Sequence, residues 1–470
     1  MKLAENLVTF RLRLKNIPGT LGKALTAIGK QGGSMGNIQI IKADKEFKIR
    51  DLAVYVSTDK QVKEIMDALS AIGKDVVEVL SVKDKVFELH EKGKIFLCNR
   101  ISITTFEDLS RVYTPGVAKV CKAIQERPEL AMEYTIIKNT VAVVTDGTAI
   151  LGLGDIGPVA GMPVMEGKAM LFKAFGNIDA FPILLNTKDV DEIVKTIITI
   201  APTFGGINLE DISAPRCFEV EKRLKAALNI PVFHDDQHGT AVVCLAGLIN
   251  ALKVVGKKIE DISVVISGAG AAGTSIAKIL LSAGAKNIVV CDTSGIIYKG
   301  RTINMNPAKN DLAQITNPDN EKGTIADAMR GKDVFIGVSG PNVITKDMVK
   351  TMRKDPIVFA MANPNPEIEP DSIEGIARVI ATGRSDYHNQ INNVLCFPGL
   401  FRGALDIGAT TINDEMNMAA AYAIANTIDG EYLSEDYIIP SVFNEKVHKE
   451  VAKAVADAAM KSGVATRQML

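Results

Sequence analysis

The sequence predicts an α/β protein: a doubly wound parallel sheet, a second α/β domain ahead of it, and a small ferredoxin-like α+β unit at the amino end. Three observations predict this. From residue 95 onward, short apolar runs alternate with helical stretches, the pattern of parallel strands joined by crossover helices. The segment Gly268-Ala269-Gly270-Ala271-Ala272-Gly273 stands between one such run and a helix. Residues 1–85 instead run strand, helix, strand, strand, helix, strand.

Within that first unit, residues 7–14 alternate, with Val8, Phe10, Leu12 and Leu14 on one face of a strand. Asn16-Ile17-Pro18-Gly19-Thr20 is a turn that opens a helix over 21–29, stopped by Gln31-Gly32-Gly33. Strands near 38–43 and 51–56, a helix over 61–72 and a strand over 76–82 complete it. The turn through Leu21 and the stretch Gly32-Gly33-Ser34-Met35-Gly36-Asn37 resemble the ACT family of regulatory domains. That resemblance implies pairing through sheets, hence a homodimer or higher homo-oligomer, with a small effector, often an amino acid, at the seam. A module used only for dimerisation is the other reading of the same residues.

A charged connector over 83–94 leads to a second domain, 95–240, with strands at 141–145, 183–186 and 232–234. The third domain, 241–470, opens with a helix over 241–255, a strand over 262–267, a helix over 271–283 and a strand over 287–291. Further strands fall at 334–338, 357–361 and 379–382.

Composition narrows the partners. At 47% hydrophobic and 23% charged residues, the chain has the means to bury a sizeable core. Its 54 Lys and Arg nearly cancel 55 Asp and Glu, so no net charge draws it to nucleic acid or an anionic membrane. The cysteines (Cys98, Cys121, Cys217, Cys244, Cys291, Cys396) are scattered with no Cys-x-x-Cys, which fits neither a disulfide framework nor a thiolate zinc site. Residues 1–5 lack the apolar core of a signal peptide, and no run of about 18 apolar residues appears. The expectation is a reduced, soluble, cytoplasmic protein.

The glycine-rich segment follows an apolar strand and opens a helix, and Asp292 ends the next strand. In such a Rossmann-type turn, Gly268 permits the bend and Gly270 admits the pyrophosphate, while Gly273 lets the helix lie close to the sheet. Ala269, Ala271 and Ala272 complete the phosphate-facing loop. Asp292 reads as a ribose ligand favouring NAD, although Lys299 or Arg301 on a shifted loop would accept the 2′-phosphate of NADP.

Two acidic pairs, Glu210-Asp211 and Asp235-Asp236, each close an apolar run and open a helical pattern. At the carboxyl ends of parallel strands both would face one crevice, where carboxylates with open water positions suit Mg²⁺ or Mn²⁺. Each pair alone also reads as helix capping. His234 and His238 only loosely match H-E-x-x-H, because Asp235 stands where the glutamate would be.

Wider motifs resemble the malic enzyme family over roughly residues 95–465. They are Tyr113-Thr114-Pro115-Gly116-Val117-Ala118, Val144-Thr145-Asp146-Gly147 with Leu151-Gly152-Leu153-Gly154-Asp155, and Met165-Glu166-Gly167-Lys168. Leu209-Glu210-Asp211, the stretch from His234 to Thr240, Ala362-Asn363-Pro364-Asn365-Pro366-Glu367 and Asn392-Asn393-Val394 follow in family order. The resemblance implies oxidative decarboxylation of L-malate to pyruvate and CO₂, with NAD or NADP and a divalent cation. By it Lys168 looks like the general base and a substrate contact, and Tyr113 like the general acid. Glu210, Asp211 and Asp236 look like metal ligands, Asn363 and Asn393 like substrate contacts, and Asp235 like a charged neighbour of the lysine.

The residue types suit the chemistry. A base removes the hydroxyl proton as hydride leaves C2, the cation withdraws electrons as CO₂ departs, and an acid protonates the enolate carbon. A lysine serving as base near neutrality must fall from about 10.4 to about 7. A nearby cation and burial push that way, while Asp235 opposes. Outside the resemblance, Tyr113, Asn363 and Asn393 read as turn residues and Lys168 as a surface charge. One departure stands out: larger members carry Glu-Arg after the Asp-Gly matching Asp146-Gly147, where this chain has Thr148-Ala149. Backbone N–H groups near Gly152 and Gly154, or Arg384, would then meet the substrate carboxylate. The rival readings are an ACT-regulated dehydrogenase of another hydroxy or amino acid, or an inactive nucleotide and effector sensor.

Overall fold

A computed structural model describes residues 6–466 as two compact units, 1–96 and 97–470. Residues 1–5, read above for a leader, lie outside the described residues.

The first unit is a four-stranded antiparallel sheet, β1 (Asn6–Lys15), β2 (Ser34–Ala43), β3 (Phe47–Val56) and β4 (Val77–Asp84), in the order β2-β3-β1-β4. Helices Thr20–Lys30 and Asp59–Ser70 join the strands, which is the ferredoxin-like plan the sequence predicts. The alternation read over 7–14 holds: Val8, Phe10, Leu12 and Leu14 are buried with Leu52, Val54, Ile28 and Ile65. The connector is more ordered than its charge suggests. Strand β4 runs on to Asp84, whose side chain caps a short helix Lys85–His90.

The second unit holds two sheets. In the first, β5 (Thr140–Thr145), β6 (Asp179–Leu184), β7 (Gly206–Leu209) and β8 (Val232–His234) are all parallel in the order β6-β5-β7-β8. The strand expected at 183–186 begins at Asp179, because Pro182 at its middle hides the pattern from propensity. In the second, β9 (Ser263–Ser267), β10 (Asn287–Asp292), β11 (Gly295–Ile296), β12 (Val334–Gly337), β13 (Ile357–Ala360) and β14 (Val379–Thr382) run β11-β10-β9-β12-β13-β14. Only β11 is antiparallel to its neighbour in this doubly wound sheet. Its order reverses between β9 and β12, the switch point where such sheets bind ligands.

The two expected domains, 95–240 and 241–470, share one core. Val141 and Val143 of β5 lie in the same buried cluster as Val264 and Ile266 of β9. The helix Thr240–Val255, largely apolar and buried, contributes to the same cluster. With the preceding turn it is long and apolar enough by composition to cross a bilayer, yet most of it is buried in this core. A helix apolar all round belongs in an interior, which is why the division at 240 does not separate two bodies.

Asp333 ties β12 to β9. Its carboxylate accepts from Ser263 N and Oγ, both at 2.9 Å, Lys257 Nζ at 3.0 Å and Arg353 at 2.9 Å. Burial pushes its pKa up, but the Ser263 N–H and Lys257 outweigh that and hold it below 3.8. A folded value below the unfolded one adds stability that is present above about pH 4 and lost on acidification. Asp333→Asn is therefore expected to cost about 1–2 kcal/mol at pH 7, a difference that narrows below about pH 4 in urea titrations.

Candidate active site

Three strands of the first sheet end in acids. Asp146 follows β5, Glu210 and Asp211 follow β7, and Asp235 and Asp236 follow β8. Parallel pairing in register brings those ends together, and the acidic pairs predicted to share a crevice do share it. One ligand oxygen from each of Glu210, Asp211 and Asp236 lies within 4.8 Å of the others. Asp211 sits at φ 53°, a left-handed conformation aspartate tolerates, and its N–H donates to Asp236 Oδ2 at 2.8 Å. Asn208 Nδ2 donates to Glu210 Oε2 at 2.8 Å.

These carboxylates oppose one another. Burial, then the charge of Asp236, pushes Asp211 up to about 8. Burial and its acidic neighbours push Glu210 well above its ordinary value against the pull of Lys168. Asp211 Oδ2 is buried without a hydrogen-bond partner among the described residues. Crowded oxygen donors with an orphaned, inward oxygen fit a hard divalent cation.

Lys168 rises from the helix Pro158–Gly176 into the same crevice. Its Nζ lies 2.6 Å from Asp235 Oδ2 and 2.9 Å from Glu210 Oε1, with its side chain 10% exposed. The ring of Phe397 lies 4.2 Å away, a cation–π contact from a remote part of the chain that nothing in the sequence signals. Asn393 Nδ2 donates to Asp235 Oδ2 at 3.0 Å, so one carboxylate orients both the lysine and this amide. Burial would depress the lysine, but Asp235 and Glu210 more than offset it and raise its pKa above the ordinary value. The depression a base requires is absent while both carboxylates are free to act on it.

His234 Nδ1 lies 3.7 Å from Asp236 Oδ2, while His238 faces away to Glu221. His234 is fully buried, with both ring nitrogens without a hydrogen-bond partner among the described residues, and burial lowers its pKa. His238 Nε2 pairs with Glu221 at 2.8 Å, and Lys225 joins the same carboxylate. The H-E-x-x-H-like spacing therefore does not bring both histidines to one metal site.

Where the larger relatives' arginine would stand, Thr148 Oγ1 donates to Asp146, and Arg216 lies 3.0 Å from Asp146 and from Ser213 Oγ. Sequence reasoning missed Arg216, whose only signal was a basic residue at a helix start soon after an acidic pair. Arg384 is engaged by Asp386 at 2.7 and 2.9 Å. Asn363 is exposed on the loop after β13, and a Cβ on Gly152 would lie 2.3 Å from its carbonyl oxygen. The segment bearing Gly152 therefore lies directly against it.

Tyr113 ends the helix Phe106–Val112 with its ring 67% exposed. No side-chain hydrogen bond joins it to Lys168 or the acids among the described residues.

The nucleotide loop follows its prediction. Gly268 has φ +114°, open to glycine alone at little cost, and a Cβ on Gly273 would lie 1.8 Å from Gly268 O. Gly270 caps the helix Ala271–Ser282, whose N-terminus opens at Ala271 and Ala272, with Ala269 between the glycines. Asp292 does not stand free for a ribose. Arg301 donates to both its oxygens at 2.6 and 2.7 Å, Lys309 at 2.7 Å and Ser294 N at 2.8 Å. Burial would raise Asp292, but these donors win and lower it.

Comparison with known proteins agrees with this geometry. Residues 90–225 match the family model for the malic enzyme N-terminal domain, and residues 237–460 that for the malic enzyme NAD binding domain. An NAD-dependent malic enzyme of Geobacillus stearothermophilus is 57% identical over 460 residues, 98% of this chain and 96% of that protein. An NADP-dependent malic enzyme of Haemophilus influenzae is 48% identical over 82% of this chain, which spans 53% of that longer protein. The crystal structure of malic enzyme from Pyrococcus horikoshii superposes with TM-score 0.79 at 49% identity, covering 82% of this chain and 92% of that one.

Proposed function

This chain belongs to the malic enzyme family, and from that premise we propose that it oxidises L-malate and decarboxylates the product to pyruvate and CO₂, reducing NAD or NADP. The observation that carries the reading is Lys168, buried between Glu210 and Asp235 beside three converging carboxylates. Glu210, Asp211 and Asp236 would hold Mg²⁺ or Mn²⁺, which supplies a Lewis acid for the departure of CO₂. Lys168, in its neutral form, would take the hydroxyl proton at Nζ, with Asp235 fixing the direction of that atom and Asn393 fixing Asp235. Asn363 supplies an amide toward substrate from the loop after β13.

Malate turnover with each nicotinamide, with and without Mn²⁺, tests this. One CO₂ should form per reduced nucleotide, and chelation should stop both. Oxidation that survives chelation and releases no CO₂ would favour a dehydrogenase of another hydroxy acid.

Nucleotide choice follows from Asp292. With Arg301 and Lys309 both on it, the local charge sums to +1, so a 2′-phosphate meets no net repulsion. We expect both nucleotides to bind. Lys309→Ala should weaken NADP⁺ by about tenfold more than NAD⁺, read as dissociation constants by fluorescence titration.

The acid role of Tyr113 is best supported in a homo-oligomer. Near it in sequence Leu97, Ile103, Phe106 and Val120 are also exposed, apolar side chains that a second copy would cover while carrying the phenol to a substrate. The first unit is read as an ACT-like regulatory module taking a small effector. Its ferredoxin-like strand order and a cleft of about 260 Å³ bordered by Arg11, Asn37, Asp51 and Lys83 support it. Six free thiols fit a reducing, cytoplasmic setting.

A further inference from the structure

The motif after β13 contributes Asn363 outward, but its last residue, Glu367, turns inward and is fully buried. No lysine, arginine or histidine pairs with it among the described residues; three donors hold it instead. Glu367 Oε1 accepts from Ser339 N at 2.8 Å and Ser339 Oγ at 3.2 Å, and Oε2 accepts from Ala362 N at 3.1 Å. Ser339 Oγ lies 2.9 Å from the hydroxyl of Ser267, the last residue of β9. A Cβ on Gly337 would lie 2.3 Å from Glu367 Cδ, so the carboxyl group rests directly on β12.

These contacts meet at the switch point of the sheet. Ser267 leads into the nucleotide loop, where a Cβ on Gly268 would lie 2.5 Å from Val338 O. Ala362 leads into Asn363. One buried side chain therefore holds Ser339, whose hydroxyl meets Ser267 just before the nucleotide loop, and the backbone of Ala362 just before Asn363. We propose that Glu367 is a positioning residue, clamping the end of β12 beside the nucleotide loop to Ala362 so that nucleotide binding orders the segment carrying Asn363.

A carboxylate does what an amide of the same shape cannot. The donors at Ser339 and Ala362 face different oxygens, and glutamine would turn its NH₂ onto one of them. Two donors would then confront each other in a site closed to bulk solvent.

Hydrogen exchange on the full chain, with and without NAD⁺, tests this in wild type and Glu367→Gln. NAD⁺ is expected to slow exchange over residues 361–367 by about fivefold or more in wild type and to leave it unchanged in the variant. The nucleotide Kd should stay within about threefold, while kcat/KM for malate falls by about tenfold or more. Protection that survives in the variant, or is missing in wild type, overturns the proposal. The kinetic arm alone rests on the malate reading: wild type that does not oxidise malate would sink that reading and leave the exchange result to decide this one. If Glu367→Gln does not fold, Ser339→Ala, which cuts the link to Ser267, should show a partial loss of protection. Full protection there overturns the proposal as well.

Discussion

Lys168→Ala is expected to lower kcat for malate oxidation by about 10³-fold while the nucleotide Kd stays within about threefold. The lysine is the only side chain that touches Asp235 and Glu210 together as a donor among the described residues. Those acids favour its ammonium form, the opposite of what a base requires. Glu210 is shared between the lysine and the cation cluster, which makes the base and the metal interdependent. Removing the ammonium also leaves two buried carboxylates without their partner, a loss on the order of 3–5 kcal/mol. Circular dichroism and thermal unfolding must therefore accompany the kinetics. A folded variant with kcat within tenfold of wild type would remove Lys168 from the base role.

The second large effect is expected at Asp236. Asp236→Asn should weaken Mn²⁺ by about 10²-fold or more, read by equilibrium titration and by the Mn²⁺ concentration for half-maximal turnover. The substitution keeps the shape of the side chain and removes one of three anionic oxygens from the cluster. It also turns an acceptor for Asp211 N–H into a mixed donor and acceptor, which loosens the left-handed backbone at Asp211. Unchanged Mn²⁺ affinity in a folded variant would take Asp236 out of the ligand set. Comparing the two variants separates the roles, because Lys168→Ala removes no oxygen ligand and should not weaken Mn²⁺ binding.

Much of the scaffold was legible residue by residue. The alternation at Val8, Phe10, Leu12 and Leu14 located a strand because one face is buried and the other is not. The glycine fingerprint located the nucleotide loop because only glycine fits Gly268 and Gly273. The acidic pairs stood out because strand ends in a parallel sheet must converge. Other features were hidden. The strand through Pro182 has no clean propensity, and the helix Thr240–Val255 does not reveal in sequence that it shares one buried cluster with residues of both sheets. Asp292 read as a ribose ligand, since Arg301 on a loop and Lys309 on the helix Pro307–Ile315 are brought to it only by the fold.

The order of residues along the chain determined which elements form and which chemical groups stand at their ends, since propensity, turn glycines and strand termini are local properties. Only the folded arrangement decided which charges meet: Lys168 with Asp235 and Glu210, Asp292 with Arg301 and Lys309, and Glu367 with Ser339 and Ala362. Electrostatic and hydrogen-bond energies depend on distance and burial, and both are set by packing between elements far apart in sequence.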